Sequence, residues 1–392
     1  MNLPLGYRYA ATYAGIRKDD RPDLGLIVSS PAANAAGVFT QNRVQASPVR
    51  LSRRHLSISH GKASAILVNA GNANCATRTG DAVALAACRA AAKQLGVPVS
   101  HVLPNSTGVI GVELDPARIV DALPALVSSL SETRFHDVAN AILTTDLVPK
   151  TAFAELTLDR GMVRIAGMTK GSGMIQPLMA TTLGFVVTDA DLGAAALRTV
   201  LRRSTERSYN RISVDGDTST NDTVLLLANG ASGVKPLARE VPLFEEAVST
   251  VMEELAKMIV RDGEGASKLV TIGVSGAKDN ASAARIARAI ANSPLVKTAI
   301  CGADPNWGRI ISAAGNAGVE FDPAKVDIDM QGLAVCRGGV AAHFSEAELK
   351  SQLESPECVI SLRLRGKGTG EARFWTCDLT EGYIRINARY RT

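Results

Sequence analysis

Short apolar runs alternate with amphipathic helical segments along the whole chain of 392 residues, and glycine or proline marks most of the junctions. The clearest predicted helices run from Asp81 to a stop at Gly96 and from Pro116, which follows Asp115 as the N-cap. Three further helices are predicted in TDADLGAAALRTVLRRS, PLFEEAVSTVMEELAKMIVRDG and DNASAARIARAIANS. Buried strands are predicted in ASAILVN, LGFVVTD, TVLLLANG, KLVTIGVSG and CVISLRLR. This alternation indicates an α/β or α+β fold class.

The composition is that of a folded globular protein, with 46% hydrophobic and 21% charged residues. The net charge of +5 comes without a dense basic run, so we expect no nucleic-acid partner. The six cysteines form no CxxC pair, which argues against a zinc ribbon or a disulfide framework. The N-terminus lacks the organisation of a signal peptide, and no apolar run is long enough to span a membrane. We therefore expect a cytoplasmic protein without a membrane segment.

Metal and nucleotide sites receive little support from the sequence. The five histidines lie far apart, without HxxxH or HxH spacing, so we expect no metal. The stretch DGDTSTNDT places Asp215 and Asp217 as a calcium loop would, but Thr220 stands where that loop requires glycine. GEGASK and GKGTG are only fragments of phosphate-binding loops. A histidine-based triad stays open because triads assemble in space, although no GxSxG motif accompanies these histidines.

Two adjacent threonines, Thr181 and Thr182, lie in a charge-free run that follows a glycine-rich turn after Lys170. A buried strand explains them, since threonine suits pleated structure. The alternative is that self-cleavage turns one of them into an N-terminal nucleophile whose own amine acts as the base. Such an amine titrates near pH ~8, which suits proton transfer. These residues alone leave open which threonine would become the new terminus.

Segments that resemble those of one known protein family occur along essentially the whole chain. KGSGMIQPLMATTLGF resembles the self-processing segment of the ornithine acetyltransferase family, also called glutamate N-acetyltransferases, of bacterial arginine biosynthesis. The other blocks that resemble this family, in its order, are GVFTQNRVQASPV, VNAGNANCAT, NSTGVIG, ILTTDLVPK, VDGDTSTNDT, RDGEGASKL, NSPLVKTAICGADPNWGR and DLTEGYIRINARYRT. One such block would be weak support, whereas this many in the family order are highly specific.

The resemblance implies a layered α/β/β/α sandwich with mixed sheets. It also implies cleavage between Ala180 and Thr181, which gives an α chain of residues 1–180 and a β chain of residues 181–392. The α chain would hold the oxyanion hole and part of the substrate site, and the β chain the nucleophile and the rest. The two chains would stay interlocked and pair into an α2β2 heterotetramer.

The activity implied by the resemblance is transfer of an acetyl group from N2-acetyl-L-ornithine to L-glutamate through a ping-pong mechanism. No metal or cofactor is implied, and acetyl-CoA is a further acetyl donor in some members. Thr181 would be the nucleophile, and Thr107 and Gly108 would stabilise the oxyanion. The implied substrate contacts are Thr144, Lys170, Thr181, Glu264, Asn387 and Thr392.

Taken one at a time, these residues have simpler interpretations. Thr107 and Gly108 alone predict a turn, and Lys170 alone predicts a solvated cation. The chain departs from the family at Leu178, where a polar residue is usual, and at Leu147, where threonine is common. Two alternatives from other classes stay open: an N-terminal-nucleophile amidase or peptidase of related architecture, and an unprocessed, inactive homologue that only binds.

Overall fold

The computed structural model describes residues 2–176 and 182–389. The strands, in chain order, are β1 Tyr7–Thr12, β2 Leu24–Phe39, β3 Lys62–Asn72, β4 Val102–Val109, β5 Lys150–Leu158, β6 Gly161–Lys170, β7 Leu183–Thr188, β8 Ile212–Ser213, β9 Thr223–Ala228, β10 Leu269–Ala277, β11 Val326–Met330, β12 Leu333–Arg337, β13 Val340–Ala341, β14 Glu357–Leu364 and β15 Gly370–Cys377. The α-helices are α1 Ser47–Ile58, α2 Gly80–Leu95, α3 Pro116–Ser128, α4 Phe135–Ala141, α5 Ala194–Arg207, α6 Val241–Arg261, α7 Asn280–Ala291, α8 Pro294–Cys301, α9 Trp307–Gly315, α10 Glu346–Leu353 and α11 Glu381–Asn387.

The helix boundaries follow local signals in the sequence. Helix α2 ends at Gly96, which takes a left-handed conformation at φ 67°. Helix α3 begins at Pro116, and the side chain of Asp115 accepts a hydrogen bond from the backbone N–H of Ala117. The five predicted helices and the five predicted strands are all present, so these sequence predictions are confirmed.

The first sheet bends into two layers at the long strand β2. Its order is β4-β3-β2-β9-β7-β6-β5, and β1 pairs with β2 outside this path. The first half of β2 pairs with β1 and β3, the second half pairs with β9, and the register shifts between Val28 and Ala33. One buried cluster joins Tyr9 and Ile66 from the first layer to Phe185 from the second. The two β layers therefore pack face to face.

Helices cover the outer face of each layer. Val83 of α2 and Leu123 of α3 share a buried cluster with Leu26 of β2. On the other side, α5 and α6 contribute Leu197 and Met252 to a cluster with strands of the second layer. The packing is the layered α/β/β/α sandwich of mixed sheets that the family resemblance implies, and this prediction is confirmed.

A second, mixed sheet carries the C-terminal part of the chain. Its order is β13-β12-β11-β14-β10-β15-β8, with β14 parallel and β15 antiparallel to β10. Strand β14 alternates exposed and buried side chains, and its buried side chains face α7, α8, α9 and α10, which contribute Ile286, Ile300, Ile310 and Leu349 to the same cluster. Within the described ranges, no helix combines the length and apolar character that crossing a membrane requires.

Candidate active site

A cavity of about 230 Å³ lies where the ends of β4 and β6 meet the start of β7 and the loops that precede β9 and follow α6. The predicted site residues that line this cavity are Thr107, Gly108, Thr144, Lys170, Glu264 and Asn387. They come from distant parts of the chain, and the fold brings them together around one space.

The cleavage-site residues Ala180 and Thr181, the terminal Thr392 and the departure at Leu178 lie outside the described residues. Thr182, which directly follows the predicted nucleophile, lines the cavity.

Thr107 and Gly108 belong to a strand, so the prediction of a turn at these residues is wrong. They lie in β4, which runs parallel to β3. Gly108 has φ 127°, and a Cβ atom added to it would lie 2.3 Å from the carbonyl carbon of Gly71. Only glycine allows this close approach of two backbones. A glycine that follows polar residues is also typical of a turn, which is why the sequence alone predicts one here.

Lys170 is buried in the cavity wall rather than solvated, so the interpretation as a solvated turn cation is also wrong. It is the last residue of β6, and its side chain is 11% exposed. Its Nζ donates a hydrogen bond of 3.4 Å to Oγ1 of Thr107. Because the Thr107 oxygen accepts this bond, the hydroxyl hydrogen is left to donate elsewhere. Burial lowers the pKa of Lys170, and the carboxylate of Asp146 opposes part of that change.

Asp146 lies next to the cavity and forms hydrogen bonds with residues from several segments of the chain. One carboxylate oxygen accepts hydrogen bonds from Nζ of Lys150 at 2.7 Å and from the N–H of Gly171 at 2.6 Å. The other accepts from the N–H of Thr144 at 2.9 Å and lies 3.9 Å from Nζ of Lys170. Burial works to raise the pKa of Asp146, but the charges of the two lysines and the hydrogen bonds hold it well below its ordinary value.

Lys150 completes a buried ionic group with two carboxylates. Its Nζ donates to Asp146 and, over 2.6 Å, to Asp262, and the side chains of Lys150 and Asp146 are both fully buried. Asp262 caps the C-terminus of α6 and accepts a hydrogen bond of 3.0 Å from the N–H of Leu147. With Lys170 nearby, two buried cations face two buried anions, so the charges balance. A buried ion group of this kind is retained only when its members are paired.

The carboxyl groups of the cavity outnumber its cations. Glu264 is 8% exposed and accepts a hydrogen bond of 2.8 Å from Nδ2 of Asn387. Asp215, Asp217 and Asp222 also line the cavity, and Lys170 is the cation among the described lining residues. This charge pattern suits a small molecule that carries both a carboxylate and an ammonium group.

Asp222 is the most buried of these acids, at 2% exposed. Among the described residues, its Oδ2 atom has no hydrogen-bond partner. Burial raises the pKa of its carboxyl well above the ordinary 3.8, although Ser219, Lys170 and Thr40 oppose this change. The group therefore carries a proton at pH values where an exposed aspartate is ionised.

The hydroxyl of Thr182 is fully engaged in structure. Its Oγ1 hydrogen bonds with Oγ1 of Thr169 at 2.9 Å and donates to the backbone carbonyl of Lys170. Thr182 is 5% exposed, and its carbonyl accepts a hydrogen bond from the N–H of Thr223 at 2.8 Å. Through these hydrogen bonds, Thr182 holds the start of β7 against β6 and β9.

Sequence reasoning missed the buried ionic group and Asp222. ILTTDLVPK contains Asp146 and Lys150 four positions apart, which was an available signal, but Asp262 is 112 positions from Lys150. Leu147, where the chain departs from the family, does not line the cavity and is 83% exposed.

The fold and the cavity define an α/β/β/α protein with a charged site for a small molecule. The sequence profile of the ArgJ family matches residues 8–392. The chain is 48% identical over 395 residues to the arginine biosynthesis bifunctional protein ArgJ of Thermus thermophilus, with 100% of each chain covered. It is 43% identical over 394 residues to the protein of the same name from Nitratidesulfovibrio vulgaris, with 99% of each chain covered.

The crystal structure of arginine biosynthesis bifunctional protein argJ from Bacillus halodurans has 41% sequence identity and a TM-score of 0.51, and it covers 53% of this chain and 98% of that chain. The chain therefore belongs to the ArgJ family, and the family resemblance is confirmed.

Proposed function

We propose that this protein is a glutamate N-acetyltransferase that moves the acetyl group of N2-acetyl-L-ornithine to L-glutamate in arginine biosynthesis. The observation that carries the proposal is the cavity in which Lys170 and Glu264 offer opposite charges beside Thr107 and Gly108. Membership of the ArgJ family, whose relatives carry the name arginine biosynthesis bifunctional protein, supports it.

The charges of the cavity match the acetyl donor. N2-acetyl-L-ornithine carries one carboxylate and one side-chain ammonium. In this proposal Lys170 receives the carboxylate and Glu264 the ammonium, with Asn387 holding the Glu264 carboxylate in place. Thr144 completes the donor site, because its backbone is fixed at the cavity wall by Asp146.

The nucleophile of the proposal is Thr181, freed by cleavage after Ala180. The engaged hydroxyl of Thr182 supports this choice, since a buried oxygen committed to Thr169 and Lys170 is poorly placed to attack a substrate. The Bacillus halodurans structure gives further support for two chains. It matches 98% of its own length but only 53% of this chain, so the solved chain is roughly half as long as this one.

The chemistry balances without an added cofactor. The Thr181 hydroxyl attacks the acetyl carbonyl, and its proton passes to the α-amine of the same residue. The hydroxyl of Thr107 and the backbone of Gly108 stabilise the oxyanion, the amide C–N bond breaks, and the ornithine amine leaves with the proton. The amine of glutamate then attacks the threonyl ester, the ester C–O bond breaks to give N-acetyl-L-glutamate, and the proton that the glutamate amine loses passes through the Thr181 α-amine to the threonine oxygen. One amide replaces another, so little driving force is required.

The proposal also covers the assembly of the chains and their location in the cell. The α chain of residues 1–180 and the β chain of residues 181–392 would remain interlocked as an α2β2 heterotetramer in the cytoplasm. Size-exclusion chromatography with light scattering tests the assembly, and a single αβ pair would contradict it.

The function is tested with purified protein, N2-acetyl-L-ornithine and L-glutamate. We expect ornithine and N-acetyl-L-glutamate in equal amounts. Acetate released without glutamate would point to the amidase alternative. No product, together with one chain of 41.1 kDa in the intact mass spectrum, would favour the binding homologue. Acetyl-CoA with glutamate, in a separate reaction, tests whether acetyl-CoA is a second donor.

The choice between the two threonines is tested by a pair of variants. Thr181→Ala should stay in one piece and be inactive, whereas Thr182→Val should still be cleaved because only a structural hydroxyl is removed. Intact masses of both variants give the answer directly. Cleavage that persists in Thr181→Ala and stops in Thr182→Val would move the nucleophile to Thr182.

A further inference from the structure

Asp146 lies outside the lining of the cavity but contacts the residues that form it. Its carboxylate accepts hydrogen bonds from the N–H groups of Gly171 and Thr144, at 2.6 and 2.9 Å, and the side chain is fully buried. Gly171 and Thr144 both line the cavity. A single carboxylate thus joins the loop that carries Thr144 to the end of the strand that carries Lys170.

The same carboxylate is a close negative neighbour of the cavity cation, with 3.9 Å between its Oδ2 and Nζ of Lys170. The charged groups that act on Lys170 are Asp146, Lys150, Asp222 and Glu264, and Asp146 has the largest effect among them. Burial raises the pKa of Asp222, which reduces the negative charge on that side at pH values where an exposed aspartate is ionised. Glu264 has the smallest effect of the four.

We propose that Asp146 is a positioning residue for acetyl transfer, which keeps the buried ammonium of Lys170 charged and aimed at the substrate carboxylate while it fixes the backbone of Thr144. The proposal rests on the proposed function of the cavity. Asp146 acts through Lys170 and does not itself touch the substrate.

Lys150 should act on Lys170 with the opposite sign. Its ammonium contacts Asp146 at 2.7 Å, and its positive charge lowers the pKa of Lys170, whereas the charge of Asp146 raises it. Removing the charge of Asp146 should therefore lower the pKa of Lys170, whereas removing the charge of Lys150 should raise it. A purely structural role for the buried ions predicts loss of stability in both variants and no such opposition.

The test is the pH profile of kcat/KM for N2-acetyl-L-ornithine, whose alkaline limb reports loss of the Lys170 proton in the free enzyme. In Asp146→Asn, Lys170 loses its strongest anionic neighbour, and the alkaline limb should move to lower pH by about one to three units. The loss at a fixed alkaline pH should appear mainly in KM, because binding of the carboxylate fails. In Lys150→Met, which keeps most of the length of the side chain without its charge, the limb should move to higher pH.

Asp262→Asn is the matched control. It removes the other carboxylate bound to Lys150, at 2.6 Å, and should disturb the buried ions to a similar extent while leaving the alkaline limb where the wild type has it. If Asp146→Asn does not fold, Lys150→Met measured against Asp262→Asn still tests the sign of the effect.

The outcomes separate the two proposals. Wild-type protein that transfers no acetyl group overturns the proposed function. Active wild-type protein in which Asp146→Asn keeps the wild-type limb, or in which Lys150→Met moves it to lower pH, overturns the role of Asp146 alone.

Discussion

The ammonium of Lys170 donates a hydrogen bond to Oγ1 of Thr107 across 3.4 Å, although the two residues are 63 positions apart in the chain. The bond orients the Thr107 hydroxyl and leaves its own hydrogen to donate to another acceptor, which in the proposed function is the oxyanion. It also places a positive charge beside that donor. In the proposed function, the oxyanion hole and the binding site for the substrate carboxylate would therefore be parts of one hydrogen-bonded unit.

Thr107→Val removes the proposed oxyanion donor while keeping the branched shape of the side chain. We expect kcat to fall by about 10²-fold to 10³-fold, as for the loss of one such donor in other acyl-transfer enzymes. Steady-state kinetics with N2-acetyl-L-ornithine and L-glutamate measure the effect. Thr107→Ser is the control, since it retains the hydroxyl and should keep most of the activity. A valine variant with nearly wild-type kcat would exclude Thr107 as the donor.

Gly108→Ala should destabilise the fold far more than Gly111→Ala. Both glycines have positive φ, at 127° and 78°, so an alanine is strained at either position. The added Cβ at position 108 would lie 2.3 Å from a backbone carbon of β3, whereas nothing lies within 4 Å of the one at position 111. Overpacking costs about 1–3 kcal/mol beyond the shared strain. Urea unfolding of both variants measures the difference, and equal losses would show that the close approach to β3 is unimportant.

Glu264→Gln should separate the two substrates. The variant loses the negative charge that we assign to the ornithine ammonium, so KM for N2-acetyl-L-ornithine should rise about 10-fold to 100-fold, the value of a charged hydrogen bond. KM for glutamate, whose side chain is anionic, should not rise in the same way. Kinetics with each substrate varied in turn provide the measurement. Equal increases for both substrates would contradict an ammonium-binding role and would indicate a general distortion of the cavity.

Local signals in the sequence account for much of the fold. The N-cap at Asp115 and the left-handed Gly96 mark helix boundaries within one turn of chain, and the structure places both where the sequence does. Thr107 and Gly108 show the limit of this approach. Their strand depends on parallel pairing with β3, whose residues come much earlier in the chain, and no local pattern reports such a partner.

The site shows the same difference between features that a local motif predicts and features that depend on distant residues. The family blocks predict the residues that line the cavity, because each block is a contiguous motif. The ion pair between Lys150 and Asp262 joins residues 112 positions apart, and neither motif indicates that its charge is buried. Burial decides whether Lys170 and Asp146 titrate normally, and burial follows from the packing of β6 against the rest of the sheet rather than from neighbouring residues.

Asp222→Asn should become more stable relative to the wild type as the pH rises. Burial raises the pKa of Asp222 in the folded protein well above the ordinary 3.8, so from about pH 4 upward the unfolded chain loses this proton before the folded protein does. The wild type therefore loses free energy of unfolding across that window, by about 1.4 kcal/mol for each unit of pKa difference, and asparagine has no proton to lose. Urea unfolding at a series of pH values compares the two proteins. The Asp146→Asn variant should show its trend only at lower pH: the pKa of Asp146 is depressed, so its stabilising charge is fully present above about pH 4 and the wild type loses that advantage as the pH falls further. A difference between Asp222→Asn and the wild type that stays constant with pH would mean that Asp222 is ionised in the folded protein.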